Sequence, residues 1–272
     1  MLVKTLLSAV LLIISSFLTA QMVTVKDSSI LRSSTDRVKI KQLKKIEKNA
    51  KVLSEAGEHK EALNLRQTNL VNIEKEFGIE SIEAGEALNN LAESYNYLGQ
   101  YIDALPLQIK ALAILKKKLG HEHQDIALAL DNLAKTYSYL EQNDEALTIQ
   151  IEALTIFKKI FGSEHKETGI ALNNLGLIYF NQARYEKALK IQTEALVIFE
   201  KVFGSEHQDT LTVLGNLALT YRRLELYDKV LSLQIKVLEI SENILGPEHS
   251  DTSLALHNLG LTYYDLGKFD KA

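Results

Sequence analysis

Cysteine is absent from the 272 residues, which excludes disulfides, thiolate metal sites and a cysteine nucleophile. The absence names no redox compartment, although it suits export into an oxidising one. Proline occurs twice and glycine 13 times. Strand-like alternation is equally hard to find, so helix is the expected state. A strong charge of one sign is missing too. The formal net charge is -4, with 46% hydrophobic and 24% charged residues, ordinary values for a globular chain. A chain this acidic has no global attraction for phosphate backbones, and no nucleic-acid partner is expected. No Gly-rich phosphate loop, GxSxG elbow or paired-carboxylate constellation stands out. The many glutamates belong to solvated helix faces. No catalytic residue, cofactor or enzymatic activity is expected within residues 21–272.

The first twenty residues differ from the rest. MLVKTLLSAVLLIISSFLTA has basic Lys4, then an apolar run to Leu18, then small Ala20 before Gln21, the three-part plan of a secretory signal peptide. The run holds Ser8, Ser15 and Ser16 and falls short of the roughly 20 apolar residues of a spanning helix. Residues 1–20 are therefore expected to be a signal peptide and 21–36 a polar linker, leaving a periplasmic or secreted protein. Left uncleaved, the same segment would act as an anchor, the one route to a stable membrane span.

What is present is repetition. Gly78, Gly120, Gly162, Gly204 and Gly246 stand 42 residues apart. Asn90, Asn132, Asn174, Asn216 and Asn258 keep the same step, as do Tyr95, Tyr137, Tyr179, Tyr221 and Tyr263. Ala62, Ala104, Ala146 and Ala188 follow it through Val230 to Ala272. Within one unit Leu172, Leu175, Gly176 and Tyr179 form one stripe of an α-helix, and Ala188, Ile191, Ala195, Ile198 and Phe199 form a second. Gly57, Gly99 and Gly267 fall at a common turn position between such stripes, where positive φ can end a helix. Each unit thus reads as two antiparallel helices. Gly176 and Ala188 let the backbones approach, with Tyr179 beside them, so Ala188→Leu is expected to cost about 1–3 kcal/mol. Thr168 and Thr210 are expected to cap the helices that follow the GSEH loops. Two helices cannot bury their apolar faces alone, so the units must stack.

The segment GSEHKETGIALNNLGLIYFNQARYEKA, Gly162 to Ala188, resembles the tetratricopeptide repeat in the 42-residue form typical of kinesin light chains. The resemblance covers residues 37–272, about five full repeats and a truncated sixth. It implies an all-α, right-handed superhelical solenoid of antiparallel helix pairs, with first helices lining a concave groove. The family pattern has proline after the loop histidine, where this chain has Gln124, Lys166, Gln208 and Ser250. The first unit is degenerate, with Leu53 in the place of the tyrosine and Asn69 in that of a small alanine.

The family also implies a use for the asparagines, which lie one helical step off the core stripe. An amide offers both a donor and an acceptor to a peptide group, so Asn90, Asn132, Asn174, Asn216 and Asn258 would form a ladder along a bound strand. The alternative is that each braces a neighbouring helix. The same face carries Tyr97 and Tyr139, then Asn181, Arg223 and Asp265, with Phe180, Arg222 and Tyr264 in an adjacent row. These aromatic rings either meet a ligand or pack between first helices. Cations are mostly missing beside Asn90, Asn132 and Asn174, so a carboxylate clamp is not implied. The expected partner is a protein or peptide segment, and the expected role a non-enzymatic interaction scaffold.

His123, His165, His207 and His249 also recur at the 42-residue step. Neighbours would lie about 10 Å apart, against zinc–nitrogen bonds near 2 Å. No metal is expected; the histidines are better placed to satisfy helix ends. Ala272 is the equivalent of Ala188, so the sixth unit has one helix and a stub. By analogy with exported bacterial arrays that can precede a sensor kinase or a caspase-like peptidase, the alternative reading is a sensory or regulatory module whose catalytic domain lies beyond residue 272.

Overall fold

The computed structural model describes residues 34–271; the expected leader at 1–20, and the expected linker up to residue 33, lie outside the described residues. Eleven helices and no strand occur among the described residues. They are α1 (Ser34–Glu55), α2 (His59–Phe77), α3 (Ile82–Tyr97), α4 (Tyr101–Leu119), α5 (Gln124–Tyr139) and α6 (Asn143–Phe161), followed by α7 (Lys166–Asn181), α8 (Tyr185–Phe203), α9 (Gln208–Arg223), α10 (Tyr227–Leu245) and α11 (Ser250–Asp265). The chain divides into two compact units, Met1–Leu65 and Arg66–Ala272. The first contains α1 and the opening turns of α2, joined at Gly57 with φ +80°. The Glu58 amide donates to the Leu53 carbonyl at 2.8 Å and closes the end of α1.

The second unit is a solenoid of helical hairpins. Three-residue turns join α3 to α4, α5 to α6, α7 to α8 and α9 to α10, short enough to force antiparallel neighbours. Each second helix then packs on the next first helix, from α4 on α5 to α10 on α11. The turn has one geometry throughout. The Gln100 amide donates to the Tyr95 carbonyl at 2.9 Å across Gly99, and the Arg184 amide to the Tyr179 carbonyl at 2.9 Å across Ala183. This six-residue closure needs a left-handed residue at its corner. Gly99 supplies it with φ +71°, whereas Glu141, Ala183 and Glu225 adopt it at φ 62°, 56° and 59° and carry the steric cost of a Cβ there.

The loops between hairpins are tied differently from expectation. Thr168 and Thr210 do not cap α7 and α9. Their hydroxyls donate backwards to the Gly162 and Gly204 carbonyls at 2.7 and 2.8 Å. The caps are His123, His165, His207 and His249, whose Nδ1 atoms accept from the amides of Asp125, Glu167, Asp209 and Asp251 at 3.1–3.2 Å. Imidazole takes the role because the residue before each helix is extended and points Nδ1 at an orphan amide of the first turn.

Close approach of the paired backbones follows from small residues. A Cβ on Gly176 would stand 2.6 Å from Gln192 Cγ and 3.6 Å from the Ala188 carbonyl oxygen. Gly85 and Gly169 are met slightly less tightly, at 3.0 Å from Leu115 and Ile198. The space between hairpins is filled by one continuous cluster that includes Leu115, Ile126, Leu130, Phe157, Leu172, Phe199 and Val213. Each large side chain buried there contributes about 1.5–3 kcal/mol.

Candidate functional site

The five ladder asparagines project from α3, α5, α7, α9 and α11, all half-buried. Their amides are not equivalent. Asn174 Nδ2 donates to both carboxylate oxygens of Asp131, at 2.9 and 3.0 Å. Asn216 Nδ2 donates to Asn173 Oδ1 at 3.1 Å. Both bonds cross from one first helix to the one before it. Among the described residues, the side chains of Asn90, Asn132 and Asn258 make no hydrogen bond.

The acceptor in this arrangement is a position that sequence reasoning passed over. Asp131 is 4% exposed. It receives Gln150 Nε2 at 2.7 Å as well as the Asn174 amide, and pairs with Lys135 Nζ at 2.9 Å. Burial disfavours its carboxylate, but the Lys135 ammonium and the bonds from Gln150, Lys135 and Asn174 outweigh burial and hold its pKa below the ordinary carboxylate value. Burial likewise works against the Lys135 ammonium, and the Asp131 charge outweighs it and raises that pKa. Lys135 keeps 37% side-chain exposure, so solvent screens much of this attraction.

Behind Asp131 runs a second register that was missed. Gln108, Gln150, Gln192 and Gln234 are 42 residues apart and all buried. Gln150 also donates to the Ala171 carbonyl at 3.0 Å. Gln192 Oε1 accepts from Thr220 Oγ1 at 2.6 Å. Arg66 holds the same register one unit earlier, donating to Ser94 Oγ at 2.9 Å and pairing with Glu93 at 3.0 Å. The signal was available in the step itself, but glutamine is common on solvated helix faces and nothing local marks it as buried.

The outer rows of the face mix packing and exposure. Tyr97 and Tyr139 are 54% and 56% exposed, and Tyr139 stacks on Tyr101 with centroids 4.6 Å apart. Partial burial, aided by the Glu93 charge, raises the Tyr97 pKa. Phe180 meets Tyr185 edge-on at 5.4 Å, with the Arg223 guanidinium 5.9 Å from its ring centre. Arg222 Nε donates to Asp265 Oδ2 at 2.6 Å. Asn181 Nδ2 donates to Ser138 Oγ at 3.0 Å, and Tyr264 meets Phe269 at 5.4 Å. The face therefore carries half-buried amides together with rings, of which Tyr139, Phe180 and Tyr264 each pack on a neighbouring ring. Among the described residues, no group of three or more histidines and carboxylates could hold a metal ion, and no helix is long and apolar enough to cross a membrane.

The tetratricopeptide repeat model matches residues 45–117, 83–159, 125–190, 167–234 and 216–272. The chain belongs to the tetratricopeptide repeat family, whose stacked hairpins generally serve as binding scaffolds for other proteins. Similar solved structures include a protein from Podosopora anserina described as a kinesin light chain with nearly identical repeats. It is 23% identical, the match covers 75% of this chain and 96% of that one, and the TM-score is 0.61. BtubC (BKLC) from P. vanneervenii is 21% identical over 89% of this chain and 87% of its own, with a TM-score of 0.62. A Rap protein complexed with Competence and Sporulation Factor is 17% identical over 82% of this chain and 69% of its own, at a TM-score of 0.58. These likenesses speak to the fold. The search of curated proteins finds no match.

Proposed function

We propose that this chain is a non-enzymatic interaction scaffold that receives an extended peptide or protein segment along the face of its first helices. The observation that carries the reading is the row of Tyr97 and Tyr139, each more than half exposed, beside amides repeated at the 42-residue step. Rings held by packing lose little freedom when a ligand covers them, and a repeated amide matches the repeated peptide group of a strand. The Rap protein with this fold is complexed with a factor, which is consistent with ligand capture by such an array. The segment 1–20 directs the chain out of the cytoplasm, so the partner is periplasmic or extracellular.

Site-specific photo-crosslinking in living cells tests both parts. A photoreactive residue at Tyr139 or Tyr264 should trap a partner, and one at Ile151 on a second helix should not. Crosslinks from Ile151 alone would remove the first-helix face from consideration. Amino-terminal sequencing of the mature protein should begin near Gln21; an intact Met1 on soluble protein would end the export reading.

A further inference from the structure

Of the helix glycines Gly85, Gly169, Gly176 and Gly215, the last is unlike the other three. A Cβ on Gly85, Gly169 or Gly176 would meet a neighbour at 3.0 Å or less, whereas one on Gly215 would meet nothing within 4 Å. Close packing therefore explains the first three and not Gly215. The repeat register gives its counterparts as Asn89, Asp131 and Asn173, the last two being acceptors for the ladder amides of Asn174 and Asn216. Gly215 gives Asn258 no such acceptor, and the Asn258 amide makes no hydrogen bond among the described residues. A second replacement converges on the same place. Leu115, Phe157 and Phe199 are succeeded at the 42-residue step by Ser241, which is buried.

Leu211 and Val237 stand where Gly169 and Ala195 stand one hairpin earlier and refill part of the gap. What is left is an open cleft of about 280 Å³ between α9 and α11, with Leu219, Val237 and Leu254 on its walls and Asn216 and Asn258 at its edge. The close approach of successive first helices at α3–α5, α5–α7 and α7–α9 is not repeated there. The volume admits one side chain and not a helix, which is about 10 Å across. Asp251 lines the cleft and no lysine or arginine does. Its carboxylate accepts from Gln208 at 2.9 Å and remains 46% exposed.

We propose that the cleft between α9 and α11 is a specificity subsite: it seats one large aliphatic or aromatic side chain of an extended peptide, with a lysine or arginine of that peptide against Asp251 and its backbone on the Asn258 amide. This rests on the reading of the first-helix face as a peptide site and adds which residue type the peptide must carry.

The test selects random peptides displayed on phage against the full chain and measures the enriched peptides on two variants. Gly215→Asn restores the residue found at Asn89 and Asn173, has open space for its side chain, and leaves the helix intact. Asp251→Asn keeps the shape and removes the charge. Selection on the unsubstituted chain should enrich peptides pairing a large apolar residue with a neighbouring cation. Their affinity should fall about tenfold on Gly215→Asn, the loss of one buried side chain, and the preference for the cation should vanish on Asp251→Asn. Enriched peptides that bind Gly215→Asn unchanged, or that carry no such pair, overturn the subsite and leave the broader groove reading standing. If no peptide is enriched, both fall together.

Discussion

The central hairpins, α5 to α8, and the carboxyl-terminal helices, α9 to α11, are built on the same 42-residue step and solve the same packing problem differently. In the centre Phe157 and Phe199 are buried in the cluster between hairpins, and Asp131 gathers Gln150, Lys135 and Asn174. Toward the end Ser241 and Gly215 occupy those positions, and an open cleft replaces the filled space. A shared repeat length is thus no guarantee of identical packing along an array. In the centre the Asn174 amide ties two first helices together, whereas at the end the Asn258 amide has no acceptor among the described residues.

The largest separation of the two regions should come from the core. Phe157→Ala is expected to lose about 3–5 kcal/mol in urea unfolding, and Ser241→Ala to stay within about 1 kcal/mol. Equal losses would dissolve the contrast.

Next comes the buried carboxylate. Asp131→Ala removes the acceptor of two amides and should cost about 2–3 kcal/mol. Because the folded pKa of Asp131 is lowered, its contribution is complete above the ordinary carboxylate range of about pH 4 and is lost as pH falls through the lowered value. Thermal melts followed into acid should therefore steepen for the unsubstituted chain and flatten for Asp131→Asn. The raised pKa of Lys135 works in the opposite sense. Its share persists below the ordinary lysine value and disappears only as pH climbs through the raised one.

Smaller again is the contrast between two glycines. Gly176→Ala drives a Cβ against Gln192 and should cost about 1–3 kcal/mol. Gly215→Ala meets nothing and should gain about 0.5–1 kcal/mol through helix propensity. Calorimetry of the pair would expose any hidden contact at Gly215 as a loss instead.

The smallest effect belongs to the surface. Lys117–Glu80, Lys159–Glu122 and Lys201–Glu164 pair along one edge, and the register ends at Asn243. Each pair is exposed, so Lys159→Ala should change stability by less than about 1 kcal/mol, an effect that added salt erases.

Much of this architecture was readable beforehand. The stripe through Leu172, Leu175 and Gly176 located a first helix, and the turn glycines marked its end, because a 3.6-residue period and a positive φ are local requirements. Loop histidines were correctly assigned to helix ends, but the cap was expected from Thr168, since threonine is the commoner capping residue; the extended backbone at His165 gave that place to imidazole. The site was less legible. Asp131 and Gln150 look like surface residues of amphipathic helices, and only the next hairpin encloses them.

The amino-acid order alone determined the repeat length, the helical hairpins and their stacking, since each depends on residues within one step of the chain. Which ladder amides are occupied, where a carboxylate is buried and where space is left open were decided by the tertiary structure. Those properties belong to pairs of side chains about one repeat apart, and their contact exists only after the hairpins have packed.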